Sequence, residues 1–211
     1  MKAHKRLFFR IALSKFILGG FILGSLKGRE DNMKKIKRII LNGLMIATVL
    51  LVTMFTRIPG PLGYFNIGDA AIFIAAVMLG KKSGFIAGAF GSALADVFLG
   101  YAYFAPITFF VKGLEGFVIG YIIYKARGSK LINDEVVRIL AIVAGCFIMV
   151  AGYFFAEIYI LRLFSTEYGY IKALSELPIN AVQGGVSAFV GYIIATSLSR
   201  IKPLKQMINE I

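Results

Sequence analysis

The chain has 211 residues, 58% of them hydrophobic, and a formal net charge of +13, with a mean hydropathy of +0.79. That apolar content excludes an ordinary soluble domain, and the positive charge reads as loop topology rather than nucleic-acid binding, because Lys and Arg collect in cytoplasmic loops of membrane proteins. Cys146 is the only cysteine and His4 the only histidine, which excludes an intrachain disulfide, a cysteine metal motif and histidine catalysis within a bundle.

Residues 1–32 are basic and apolar, and their longest uncharged run, Phe16–Leu26, is too short to span a bilayer. They read either as an interfacial amphipathic helix or as sequence upstream of a start at Met33, where MKKIKRIILNG begins. Residues 33–205 then form one membrane domain and 206–211 a short cytoplasmic tail. The apolar runs predict six helices, at Ile36–Thr56, Gly68–Gly80, Ser83–Gly100, Pro106–Tyr124, Val136–Phe164 and Pro178–Ser199. The expected fold is an all-α integral membrane protein, a six-transmembrane-helix bundle. Basic residues set its orientation. The cluster from Lys34 to Arg38, Lys81, Lys82, the loop from Lys125 to Lys130, Arg138 and the stretch from Arg200 to Lys205 fall on one side, against Arg57, Arg162 and Lys172 on the other. Both termini are therefore expected in the cytoplasm of a multi-pass cell-membrane protein.

Charges inside a bilayer are costly and face a bundle interior, a cavity or a partner charge. Here they share one depth. Helix four runs inward from Pro106, which puts Lys112 about 9 Å and Glu115 about 13 Å below the outer end at about 1.5 Å per residue. Asp96 lies near the outer end of helix three and Glu157 in the outer part of helix five. Asn180 and Gln183 fall in the first two turns of a helix starting at Pro178. Arg57 ends helix one and Asp69 begins helix two, just after Asn66. A channel or ion-coupled antiporter would line more of its path with polar groups. This profile describes a cup open to the outside.

Each residue also has a plainer reading. Lys112 and Glu115 are spaced i, i+3 and can neutralise each other. Asp69 and Asn180 suit helix caps, Asp96 suits a solvated rim, and Glu157 can reach the surface. The aromatics Tyr64, Phe65, Tyr101, Tyr103, Phe104, Tyr168 and Tyr170 suit an interfacial belt. The loop RIPGPLGYFNIGD, with its Pro, Gly and aromatic residues, also suits a lid over a flat ligand. Small residues four apart recur at Gly43/Ala47, Gly84/Gly88, Gly91/Ala95, Gly184/Ala188 and Gly191/Ala195. Such pairs let helix backbones approach closely, within the chain or against a second membrane protein. No GxxxxGK[ST] loop is present, so any ATP-driven step needs a partner. No cofactor or metal is expected.

The stretch from Tyr64 through Ile122, with its N-I-G-D and K-G-L-E-G strings, and the later LPINAVQGG resemble the substrate-binding S components of energy-coupling factor (ECF) vitamin transporters. The likeness covers roughly residues 33–200 and is strongest to the riboflavin, pyridoxine and hydroxymethylpyrimidine subgroup. It implies six helices, an outward substrate cavity, and a complex with a membrane T subunit and two cytoplasmic ATPases. The family's small-x-x-x-small docking contact on helix one falls on Gly43 and Ala47. The expected ligand contacts are Asn66, Asp69, Asp96, Tyr101, Lys112, Glu115, Glu157, Asn180 and Gln183, around a small vitamin or vitamin precursor. The rival readings are a membrane enzyme, disfavoured because no nucleophile elbow or metal motif is present, and a non-transporting scaffold of the MreD-like type.

Overall fold

The computed structural model describes residues 2–60, 63–126, 133–202 and 204, with side chains from Arg29 onward. The tail 206–211, the loop 127–132 and the side chains before residue 29 lie outside the described residues, and with them the readings of an interfacial segment and a cytoplasmic tail. The elements are α1 (Lys2–Phe55), strands β1 (Ile58–Gly60) and β2 (Gly63–Phe65), α2 (Gly68–Leu79), α3 (Lys81–Phe98), α4 (Ala105–Ala126), α5 (Asp134–Tyr159), a single 3-10 turn (Leu161–Leu163) and α6 (Tyr170–Ser199).

The chain divides into two units within α1. The N-terminal unit, to Ile40, is helical. Met33, Ile36, Ile39 and Ile40 are exposed there, and Glu30 pairs with Lys34 one turn on. The second unit starts at Leu41 and holds the bundle. Its centre is α2, whose residues from Gly68 to Ala76 are buried except the half-buried Ile74, as befits a helix apolar on almost every side. At 12 residues it is about 18 Å long, shorter than a full span. It packs against α3, α4 and α6. Its core side chains, Ile72 and Phe73, join Val49 of α1 and Ile119 of α4 in one cluster. Gly80, at φ +85°, adopts a backbone state that only glycine takes without strain, so α2 turns into α3 without a loop.

The closest helix contact is between α3 and α4. A Cβ on Gly84 would lie 2.5 Å from the Gly116 carbonyl oxygen of α4 and 2.8 Å from the Cβ of Ala76 of α2, and one on Gly88 would overlap the Lys112 carbonyl of α4. Gly91 faces Val49 of α1, Gly184 faces Met149 and Cys146 of α5, and Gly191 faces Phe73 and Ala70 of α2. The small-residue pairs of α3 and α6 are thus used inside the bundle. Gly43 differs: among the described residues nothing would come within 4 Å of a Cβ there, and Ala47 one turn on is exposed.

Arg29–Phe55, Ala105–Ala126, Asp134–Leu163 and Tyr170–Ser199 are long and apolar enough to cross a membrane. Phe90, Phe110, Phe147, Phe155 and Phe189 point away from the bundle, an exposure natural in lipid and a liability in water. The chain is an all-α, multi-pass membrane protein.

Three boundaries depart from the sequence reading. Helix five, read to Phe164, ends at Tyr159 and is followed by the 3-10 turn Leu161–Leu163. Helix one extends back to Lys2, since no proline interrupts the chain before it. Helix six starts at Tyr170, after Gly169 at φ +151°, rather than at Pro178. A proline inside a helix removes one hydrogen bond and kinks the chain, but α6 tolerates Pro178. Asn180 therefore sits well inside α6 and is no first-turn cap. Asp69 is no cap either, because the N-cap position of α2 is Ile67 and the Asn66 carboxamide accepts from the Gly68 N–H at 2.8 Å.

Candidate functional site

The loop expected as a lid is a two-stranded antiparallel hairpin, pairing Ile58 with Phe65 and Gly60 with Gly63. At the hairpin end of the bundle lies a cavity of about 260 Å³. Ile58, Pro59, Tyr64, Phe65 and Asn66 line it from the hairpin side. Ser92 and Asp96 of α3, Thr108 and Lys112 of α4, and Tyr101 and Phe104 between these helices form a second wall. Tyr153 and Glu157 of α5, with Glu176, Ile179, Asn180 and Gln183 of α6, close the third.

The floor is built on Lys112, which is 4% exposed. Its ammonium lies 2.5 Å from Asp69 Oδ1 and 3.4 Å from Glu115 Oε2, and 5.6 Å from the Tyr153 ring centroid. The i, i+3 pairing with Glu115 is present, but Asp69 is nearer. Gln183 extends this group towards the hairpin. Its Nε2 donates to Asp69 Oδ2 at 3.1 Å, while its Oε1 accepts from the Asn66 backbone N–H at 3.1 Å and from Asn66 Nδ2 at 3.3 Å. One carboxamide therefore holds the end of the hairpin to the first turn of α2 and, through Asp69, to α4. Asp69 and Glu115 do not line the cavity; they stand behind Lys112.

On the opposite wall Tyr64 donates to Asp96 Oδ1. Burial, and next the Asp96 carboxylate, hold the Tyr64 phenol far above its ordinary value of 10, so it remains a donor. The Arg57 guanidinium lies 5.8 Å from the Tyr64 ring centroid and 5.5 Å from that of Tyr101. The two rings are themselves 5.1 Å apart, a spacing at which aromatic pairs attract. Across the site Tyr153 donates to Thr108 at 3.1 Å. Glu157 is buried beside Glu176, and Glu176 lies 4.0 Å from Lys172.

Of the residues expected to contact ligand, Asn66, Asp96, Tyr101, Lys112, Glu157, Asn180 and Gln183 line this cavity. Thr53, Ser92, Thr108, Tyr153, Glu176 and Ile179 line it too and were not singled out. Most of them stand one helical turn from a residue that was: Ser92 from Asp96, Thr108 from Lys112, Tyr153 from Glu157, Glu176 from Asn180. That i, i+4 spacing is the signal that finds them. Among the aromatics, Tyr64, Phe65, Tyr101 and Phe104 face the cavity, whereas Tyr103 and Tyr170 are exposed, as in an interfacial belt.

The family model of the ECF-type riboflavin transporter S component matches residues 33–200. The chain belongs to this family. As an S component it is a transporter subunit and not an enzyme, and the scaffold reading is set aside. It is 38% identical over 165 residues to the "Uncharacterized protein in gap 3'region" of Pyrococcus woesei, covering 77% of this chain and 98% of that relative. It is 28% identical over 172 residues to the "Thiamine precursor transporter HmpT" of Lactococcus lactis subsp. cremoris (strain MG1363), covering 80% of this chain and 89% of that relative. The strings that carried the resemblance each deliver side chains to the floor or wall of the cavity: Asn66 and Asp69, Lys112 and Glu115, Asn180 and Gln183.

Proposed function

We propose that this chain is the membrane-embedded, substrate-binding subunit of an ECF-type ABC importer. It captures a small vitamin or vitamin precursor, of the pyridoxine, hydroxymethylpyrimidine or riboflavin class, from the extracytoplasmic side of the cell membrane. The observation that carries this reading is the polar, aromatic-lined cavity at one end of a bundle that belongs to the S component family. The similarity to a thiamine precursor transporter supports a heterocyclic ligand.

The orientation follows from charge. Lys81, Lys82, Lys125, Arg138 and Arg200 belong to the end away from the hairpin, which the positive-inside rule puts in the cytoplasm, so the cavity opens outward. On this reading α2 and α3 complete a six-span bundle, the short α2 being sheathed by its neighbours. Energy comes from partners, a membrane T subunit and two cytoplasmic ATPases, with Gly43 and Ala47 as the docking face for the T subunit. In the cavity Tyr64, Tyr101 and Phe104 stack on the heterocycle, and Asn66, Asp96, Lys112, Glu157, Asn180 and Gln183 meet its polar edge. Asp69 and Glu115 hold Lys112 in place.

The test is mass spectrometry of small molecules released from the purified protein. A vitamin or vitamin precursor at near-stoichiometric yield is expected, together with no concentrative uptake by proteoliposomes that hold this chain alone. Active accumulation without partners would refute the reading.

A further inference from the structure

The cavity walls are unbalanced in charge. Asp96, Glu157 and Glu176 line them, and Lys112 is the cation among the lining residues. Lys112 is already held between Asp69 and Glu115. Arg57 lies over the Tyr64 and Tyr101 rings, and Lys172 is 4.0 Å from Glu176 and 3.9 Å from the Tyr168 ring centroid. Asp96 is only 3% exposed and Glu157 only 1%. Even so, Asp96 Oδ2 and Glu157 Oε2 have no hydrogen-bond partner among the described residues. A buried, unsatisfied carboxylate oxygen is costly to leave unmade, and both of these belong to side chains that border the same empty volume. They ask for donors, and their sign asks for positive charge. The volume, about 260 Å³, is below the range of about 300–1,000 Å³ typical of drug-sized ligands.

We propose that the ligand is a single-ring nitrogen heterocycle that presents an amino group, beside a ring nitrogen able to carry a proton, to Asp96 and Glu157, with its ring stacked near Tyr64 and Tyr101. The site rejects phosphate esters, which would meet three carboxyls, and its small volume favours a single ring over a tricyclic flavin. This rests on the binding-subunit reading and narrows its substrate class.

The full-length protein, purified and stripped of co-purified ligand, is titrated calorimetrically with four probes: hydroxymethylpyrimidine, which carries a ring amino group; its counterpart with that amino group replaced by hydrogen; its phosphate ester; and riboflavin. Hydroxymethylpyrimidine should bind at least tenfold more tightly than each of the others, the scale set by one hydrogen bond to a charged group. In the isosteric variants Asp96→Asn and Glu157→Gln, checked for folding by thermal melting, the preference for the amino compound should shrink below about threefold. Equal affinity for the amino and deaminated probes overturns the inference, as does an unchanged preference in both variants. Tightest binding of riboflavin or the phosphate ester overturns it while leaving the proposed function intact. Binding of none of the four also overturns it. The broader reading falls with it only if the purified protein also releases no small molecule to mass spectrometry.

Discussion

Replacing Lys112 with Met keeps the length and approximate volume of the side chain and removes only its charge. Asp69 and Glu115 are then left buried, 1% and 0% exposed, without their cation. Asp69 keeps the Gln183 carboxamide at 3.1 Å. Glu115 has no hydrogen bond at either oxygen among the described residues. Breaking a buried pair from one side costs about 3–5 kcal/mol, and Lys112→Met should lose that much in unfolding by denaturing detergent, followed by far-UV circular dichroism. The geometry also ranks the rescues. Coulomb attraction falls as the inverse of distance, so the carboxylate at 2.5 Å matters more than the one at 3.4 Å. Lys112→Met/Glu115→Leu should therefore recover only part of the loss, and adding Asp69→Asn should recover most of it, because apolar or neutral replacement of a whole buried ion group is often tolerated. Ligand affinity should stay low in the triple variant, since Lys112 borders the cavity. Wild-type stability in Lys112→Met, or full recovery in the double variant, would refute the three-membered arrangement. Wild-type affinity in the triple variant would remove Lys112 from the ligand contacts.

Leu at Gly43 or Ala47 should abolish co-purification with the T subunit and leave ligand affinity unchanged, because both positions lie on an open face of α1; a complex that survives both substitutions places docking elsewhere. Gln183→Leu leaves the Asn66 N–H and carboxamide and Asp69 Oδ2 without their shared partner, at about 1–3 kcal/mol per buried group. Amide hydrogen exchange at residues 63–66 should accelerate and ligand affinity should fall, and unchanged exchange would show that the hairpin is anchored by other contacts.

Composition and periodicity determine much of this protein without tertiary information. A hydrophobic content of 58% and apolar runs of bilayer length require a membrane bundle, because backbone polar groups in lipid are satisfied within helices. The clustering of Asp96, Lys112 and Glu157 at one depth was legible for a related reason: charges in lipid are rare enough that each one carries information. Uncharged or locally ambiguous contributors were not. Thr108, Tyr153 and Ser92 look like ordinary helix residues until packing turns them to the cavity. Glu176 lies before Pro178, so a helix assumed to start at the proline excludes it.

The tertiary structure decided what depends on contacts between helices distant in sequence. The small-residue pairs are alike in sequence, yet Gly84, Gly88, Gly91, Gly184 and Gly191 meet neighbouring helices while Gly43 meets none of the described residues. Lys112 has an acid three residues away, and local spacing alone pairs it with Glu115. The nearer carboxylate is Asp69, on α2, brought there because glycines let α3 close on α4 and because α2 fills the centre of the bundle. An i, i+3 partner is a property of the helix itself, whereas a partner on another helix exists only once the helices have packed.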